Sequence, residues 1–236
     1  QVRRLQREDH ADGAQGPSLT HTGVMRAPRW WDEHVLPRLV DRTMSGPQVE
    51  GLRAATCGRD AVRGLVVEVG FGSGRNLAHY GPDVTGVLAV EPADLAWERA
   101  LPRIAAFGRP VERVGTDAAG LDLSTASVDA VVSTWTLCTI PALVTALAEI
   151  ARVLRPGGAL HFVEHTTSDH PALARAQAVV QPVWGAWAGG CHLDRDIPGE
   201  LERAAYALTS HGRRGWFVSG SARPMAHSGH STPTGT

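Results

Sequence analysis

Lysine is absent from this 236-residue chain, and all 23 basic side chains are Arg. That absence excludes two mechanisms, because a pyridoxal-phosphate Schiff base needs a Lys amine and a Walker-type phosphate loop needs a Lys beside its glycines. Cysteine is scarce. Cys57, Cys138 and Cys191 are odd in number and far apart, which gives neither a disulfide framework nor paired zinc-ligand spacing and fits a reducing compartment. No apolar run reaches the roughly 18 to 20 residues that span a bilayer, and no charged start leads into an apolar core, so a cytoplasmic location is expected. An excess of basic charge is missing as well. A formal charge of −1 with 43% apolar residues describes a globular protein without a nucleic-acid surface.

What is present falls into four stretches. Residues 1–24 are polar and aperiodic and read as a disordered arm. Residues 25–60 read as a helical lid segment, with Trp31, Val35, Leu39 and Val40 at helical spacing and a kink or break expected at Pro37. Across 61–205 the period changes: short β-branched runs at 64–69, 85–90, 111–115, 127–133 and 159–164 alternate with helical stretches, the clearest at 141–154. This alternation predicts a single α/β domain with a doubly wound, mostly parallel Rossmann-like sheet and helices on both faces. Its ligands bind beyond the carboxyl ends of the strands. Residues 206–236 read as an irregular segment in which only 215–218 is strand-like, leaving a partial final strand at one sheet edge.

The chemistry gathers at the predicted strand ends. Gly70, Gly72 and Gly74 follow the first run, where glycine permits a tight turn and close approach of a ligand to the backbone. A dinucleotide fingerprint would place its third glycine at Arg75, whereas Glu68 completes the pattern E-x-G-x-G-x-G. Glu91 closes the second run, 21 residues after Gly70, where a carboxylate accepts both hydroxyls of a ribose. Asp117, with Ala118 beside it, follows the third run and can receive an adenine amino group. A solvated-loop or cap role is equally open to it.

Together these features resemble the class I, Rossmann-like methyltransferases over roughly residues 63–164. The resemblance implies S-adenosylmethionine as cofactor, with Glu68, Gly70, Gly72, Gly74, Glu91, Asp117, Ala118 and Thr134 as its binding residues and the glycine loop at its methionine end. The stretches 136–141, 162–165 and 189–196 resemble, more narrowly, the branch that holds the microsomal alkyl-thiol S-methyltransferases and their bacterial relatives. Ubiquinone-type and phospholipid N-methyltransferases are neighbours of that branch. The long apolar N-terminal anchor of the microsomal members has no counterpart in this sequence, so their membrane location is not carried over.

A sulfonium methyl is already activated, so catalysis rests mainly on in-line alignment of nucleophile, carbon and leaving sulfur. His165, just past the fifth run, is the candidate base or orienting residue, and Cys138 reads as a small apolar wall. The run Cys191-His192-Leu193-Asp194, with His161 and His165, suggests a metal, but none is expected, since the neighbours Cys191 and His192 cannot readily share one ion and no second close pair completes four ligands. Trp30, Trp31, Trp135, Trp184 and Trp187 suit either core packing or a pocket for a small, apolar methyl acceptor (thiol, amine or hydroxyl), with peripheral membrane contact if Trp30 and Trp31 are exposed. An NAD-dependent oxidoreductase and a non-catalytic cofactor-binding module are the competing readings; oligomeric state is not legible. Replacing Glu91 with Ala is expected to remove ribose bonds worth about 1.5–3 kcal/mol each, weakening cofactor binding tenfold or more by calorimetry.

Overall fold

Runs rich in Val, Leu and Ala form strands largely buried on both faces, and these organise the molecule. The computed structural model describes residues 27–225, so the expectations for 1–24 and 226–236 lie outside the described residues. Seven strands form one sheet: β1 (Gly64–Val69), β2 (Val84–Val90), β3 (Val111–Gly115), β4 (Val128–Thr134), β5 (Leu154–His165), β6 (Tyr206–Arg214) and β7 (Phe217–Pro224), ordered β3-β2-β1-β4-β5-β7-β6. The first five are parallel, and β7 pairs antiparallel with both β5 and β6.

The register places the site. Val69 of β1 is level with Val90 of β2 and with Ser133 of β4, so Gly70, Glu91 and Thr134 leave the sheet side by side. The strand order reverses at β1, which opens a crevice at this carboxyl edge. Alternate side chains feed two cores. Val67, Val131 and Leu160 share one with Leu147 and Ile150 of α4 (Leu143–Val153), while Val66, Val87 and Val132 share the other with Cys57 of α2 (Pro47–Cys57) and Ala100 of α3 (Asp94–Phe107). Each fully buried Val, Leu or Ile side chain among these contributes about 1.5–3 kcal/mol.

The N-terminal segment stays helical across Pro37 and breaks only at residues 44–46, with the distortion placed just before the proline. A π-helical turn (Trp31–Val35) passes into α1 (Leu36–Thr43), with Pro37 in its first turn, where a missing N–H costs least. Two further helices, α5 (Pro171–Trp187) and α6 (Ile197–Arg203), separate β5 from β6. Among the described residues no helix is long and apolar enough to cross a membrane.

The C-terminal expectation is corrected. Residues 206–225 are not irregular, because β6 and β7 form a complete hairpin around Gly215 and Trp216, with Gly215 in the left-handed region at φ 65°. Within β7 only Val218 and Ala222 are buried, and its Ser219, Gly220 and Ser221 hide the strand from hydrophobic periodicity. Pairing with β5, from Leu160 opposite Ala222 to His165 opposite Phe217, is what orders it. Tyr206 anchors the hairpin by donating to the Leu147 carbonyl of α4 at 2.7 Å from a buried position. Tyr206→Phe is expected to cost about 1 kcal/mol in urea unfolding without changing the slope.

Candidate active site

At the end of β1 the chain turns through glycines. Gly70 has φ 73°, and a Cβ there would sit 1.9 Å from Thr136 Oγ1, so no other residue fits. Gly72 (φ 58°) differs: its Cβ would meet only a carbonyl oxygen at 4.0 Å, so its outer side faces open space. Glu91 ties this loop to β2. Its Oε2 accepts from the Gly72 N–H at 2.6 Å and its Oε1 from the Ala93 N–H at 2.8 Å, while Arg113 grips the Glu91 carbonyl. Burial pushes the Glu91 carboxyl up, and the two backbone donors and the Arg113 charge oppose that shift.

A cleft of about 410 Å3 opens here, and Gly70, Gly72, Glu91 and Thr134 all line it. The other four expected cofactor residues do not. Glu68 lies beneath the loop, accepting from Tyr80 Oη at 2.6 Å and Asn76 Nδ2 at 2.9 Å, and burial pushes its carboxyl up to about 7. Gly74 packs against Phe71, Ala100 and Leu77. Asp117 is exposed and accepts from the Ala119 N–H at 2.8 Å, and Ala118 is a core residue. The motif acid at Glu68 is thus a positioning group: it holds Asn76, whose amide also meets Arg53 at 2.8 Å and Thr134 at 3.1 Å.

Sequence reasoning missed what the N-terminal helices bring. Arg53 of α2 is buried in the cleft wall, 4.8 Å from the Trp135 ring centroid, and its Nε makes no hydrogen bond, with Glu50 Oε1 at 3.9 Å as its nearest ion-pair partner. Burial pushes its guanidinium pKa down, opposed by Glu50 and Glu68. Asp41 of α1 accepts from Ser73 Oγ, Arg75 Nε and Arg99 Nη2, and its carbonyl takes Arg75 Nη2 at 2.7 Å. This latches α1 onto the glycine loop. Arg75, noted in the sequence only as a missing glycine, has no local signature for a partner 34 residues away.

Trp135 stands at the junction with a second chamber. It follows β4 with φ 55°, a left-handed conformation that is costly for a bulky residue, and its buried indole N–H has no partner. Beyond it lies an apolar cavity of about 560 Å3 that shares Leu36, Val40, Met44, Trp135 and Thr139 with the cleft. Trp31, Trp184 and Trp187 line it, Trp31 edge-on to Trp187 at 5.4 Å, whereas Trp30 is exposed and does not line it.

His165 also lines this chamber, together with Cys191. Its Nδ1 is 3.5 Å from Cys191 Sγ and 3.7 Å from Cys138 Sγ, and the two sulfurs are 3.6 Å apart. Hydrogen bonding with Cys138 and His165 pulls the Cys191 thiol pKa down. His192, the sequence neighbour of Cys191, is not part of the group: its ring faces Gln181 and Asp194. Arg195 donates to the Leu137 and Ile140 carbonyls, so the 189–196 run clamps the loop after β4.

Comparison with known proteins agrees with this geometry. A family profile described as a methyltransferase domain matches residues 67–162. The chain is 35% identical over 148 residues to thiol S-methyltransferase TMT1A of Homo sapiens, covering 60% of this chain and 59% of that protein. It is 32% identical over 147 residues to thiol S-methyltransferase TMT1B of Rattus norvegicus, with the same coverage. A solved SAM-dependent methyltransferase from Thermotoga maritima shares the fold, with a TM-score of 0.57 at 21% identity over 83% of this chain and 100% of that one. The chain therefore carries a class I methyltransferase domain. Within that class it is similar to the thiol S-methyltransferases, and it spans about three fifths of the length of the curated relatives it matches.

The latch carries a pH signature. Burial alone would raise the Asp41 carboxyl, but Ser73, Arg99 and Arg75 hold it at about 2 against an ordinary 3.8. A depressed carboxyl stabilises the fold above its unfolded pKa and loses that contribution as pH falls through the folded value. Asp41→Asn is expected to cost roughly 1–2 kcal/mol near pH 6, allowing for solvent screening, and the gap in urea unfolding should close as pH falls from 4 toward 2.

Proposed function

We propose that this chain is a S-adenosylmethionine-dependent methyltransferase acting on a small apolar thiol. The observation that carries this reading is the meeting of two unlike chambers at Trp135, one edged by the charged Glu91 and Arg53, the other more apolar and walled by tryptophans. The cofactor supplies a methyl group already activated on a sulfonium sulfur.

The cleft residues fit that cofactor. Glu91 retains free lone pairs on both oxygens for the ribose hydroxyls, and Gly72 leaves room for close backbone approach. Arg53, a buried cation whose Nε makes no hydrogen bond, takes the carboxylate of the methionine end. Pro92, Ala93 and Ala96 line the same cleft and offer an apolar seat to the adenine, in place of Asp117 and Ala118. Trp135 separates donor from acceptor and excludes water between them.

The acceptor is inferred from the second chamber. His165 and Cys191 are its titratable lining groups among the described residues, and no carboxylate lines it to orient the histidine as a base for an alcohol. A thiolate attacks without such a base, which favours sulfur over oxygen. Similarity to the thiol S-methyltransferases supports the same acceptor. Exposed Val179, Val183 and Trp187 on α5 continue the apolar lining outward, a surface suited to peripheral contact with a lipid interface as the acceptor's source. Three free cysteines support a reducing, cytoplasmic setting.

Calorimetry with S-adenosylhomocysteine and NAD(H), followed by a methyl-transfer screen over thiols, amines, phenols and lipids, tests the reading. Binding of S-adenosylhomocysteine and turnover of alkyl or aryl thiols are expected; NAD(H) binding alone would overturn it, and binding without any transfer would mark a non-catalytic module. Arg53→Met should weaken S-adenosylhomocysteine binding by roughly 10- to 100-fold. Methylthioadenosine, which lacks the carboxylate, should bind the variant as it binds the parent.

A further inference from the structure

Cys138, His165 and Cys191 come from the loop after β4, the end of β5 and the connection between α5 and α6. Their donor atoms form a triangle with edges of 3.6 Å between the sulfurs and 3.5 and 3.7 Å from each sulfur to Nδ1. A tetrahedral ion with bonds of about 2.3 Å to sulfur and about 2.0 Å to nitrogen needs ligand edges of about 3.8 and about 3.5 Å, whereas an octahedral face at those lengths needs only about 3.0 to 3.3 Å. The observed triangle matches the tetrahedral face.

Outer contacts hold these donors in place. The His192 N–H donates to the Cys138 carbonyl at 2.9 Å, and Gln181 Nε2 to the Cys191 carbonyl at 3.0 Å. Glu164, fully buried, accepts from the Cys138 N–H at 3.2 Å, and Phe217 packs on the His165 ring at 5.1 Å. Three protein donors leave one tetrahedral position. Structural zinc sites fill all four from the protein, while sites that bind substrate keep one open. His165 and Cys191 line the apolar chamber, so the open position faces the space assigned to the acceptor.

We propose that Cys138, His165 and Cys191 bind a zinc-class divalent ion whose fourth position holds the acceptor thiol as its thiolate. The role of the ion rests on the thiol-methyltransferase reading; the ion itself rests on the triangle alone. Both cysteines release protons to solvent when the ion binds, and the acceptor thiol releases a third when it coordinates. A sulfur lone pair of the acceptor then forms the bond to the methyl carbon. The carbon–sulfonium bond breaks with its electron pair going to the leaving sulfur, giving S-adenosylhomocysteine and a neutral thioether. The thioether is a poor ligand and gives way to the next thiol. Of the histidines near Cys191 that the sequence offers to a metal, His161, His165 and His192, only His165 joins the group, and Cys138 supplies the third donor.

The test uses the full chain, reduced, stripped with chelator and titrated with Co2+. Thiolate-to-cobalt charge transfer and the intense visible bands of a four-coordinate site are expected, saturating at one equivalent and reversed by Zn2+. Cys138→Ser and Cys191→Ser, checked for folding by circular dichroism, should weaken Co2+ binding by more than the roughly 10- to 100-fold that loss of an outer hydrogen bond costs. Cys57→Ser, in the opposite core, should leave the spectrum unchanged. Hexanethiol should raise the charge-transfer intensity and release one proton per chain. Absence of a saturable band, or a pale six-coordinate spectrum, overturns the site, as does a Cys138–Cys191 disulfide that persists in the reduced protein. A band that ignores hexanethiol overturns the thiol-holding role. Undiminished thiol methylation by stripped protein also overturns that role while leaving the methyltransferase reading intact. Failure to bind S-adenosylhomocysteine with the cobalt spectrum present sinks only that reading.

Discussion

Level pairing of β1, β2 and β4 is the constraint on which the site depends. With Val69, Val90 and Ser133 held abreast by the parallel ladders, the next residue of each strand emerges at one edge, and a glycine turn, a carboxylate and a hydroxyl arrive together. A slip of one residue in any of these strands would send its side chains to the opposite face. The site is thus specified by the same burial of Val and Ala that stabilises the sheet.

Buried carboxylates then fasten the loops to that edge. Glu68 holds the turn after β1 through Asn76 and Tyr80, Glu91 holds the glycine loop through the Gly72 N–H, and Glu164 holds the turn after β4 through Ser133 and two backbone donors. Burial raises all three carboxyls, and hydrogen-bond donors aimed at them offset part of that effect. Removing the acid in such a place leaves donors unpaired in a low-dielectric setting, so these positions tolerate change poorly even where they touch no ligand.

The legible part of the molecule is the part set by local chemistry. β1 and β2 stand out because burial on both faces produces continuous apolar runs, and Gly70, Gly72 and Glu91 stand out because a turn and a strand end dictate residue type. Thr134 falls with them through register. Glu68, Asp117 and Ala118 occupy motif positions, but packing and an exposed turn decide where their side chains point. β6 and β7 escape detection because their order comes from pairing with β5, not from their own periodicity. The Cys138, His165 and Cys191 group is invisible in sequence for a related reason: its members lie 26 to 53 residues apart, and only the topology joins them.

Trp135 belongs to both chambers at once, with a backbone already displaced from its preferred region. A shared wall makes the two occupants thermodynamically linked. Whatever one ligand does to the position of this indole changes the affinity of the other, and the coupling free energy is the same in either direction. Donor and acceptor therefore cannot be tuned as independent variables. A change that widens one chamber at Trp135 alters the other, so selectivity for new acceptors has to come from walls the chambers do not share, such as Trp184 and Trp187.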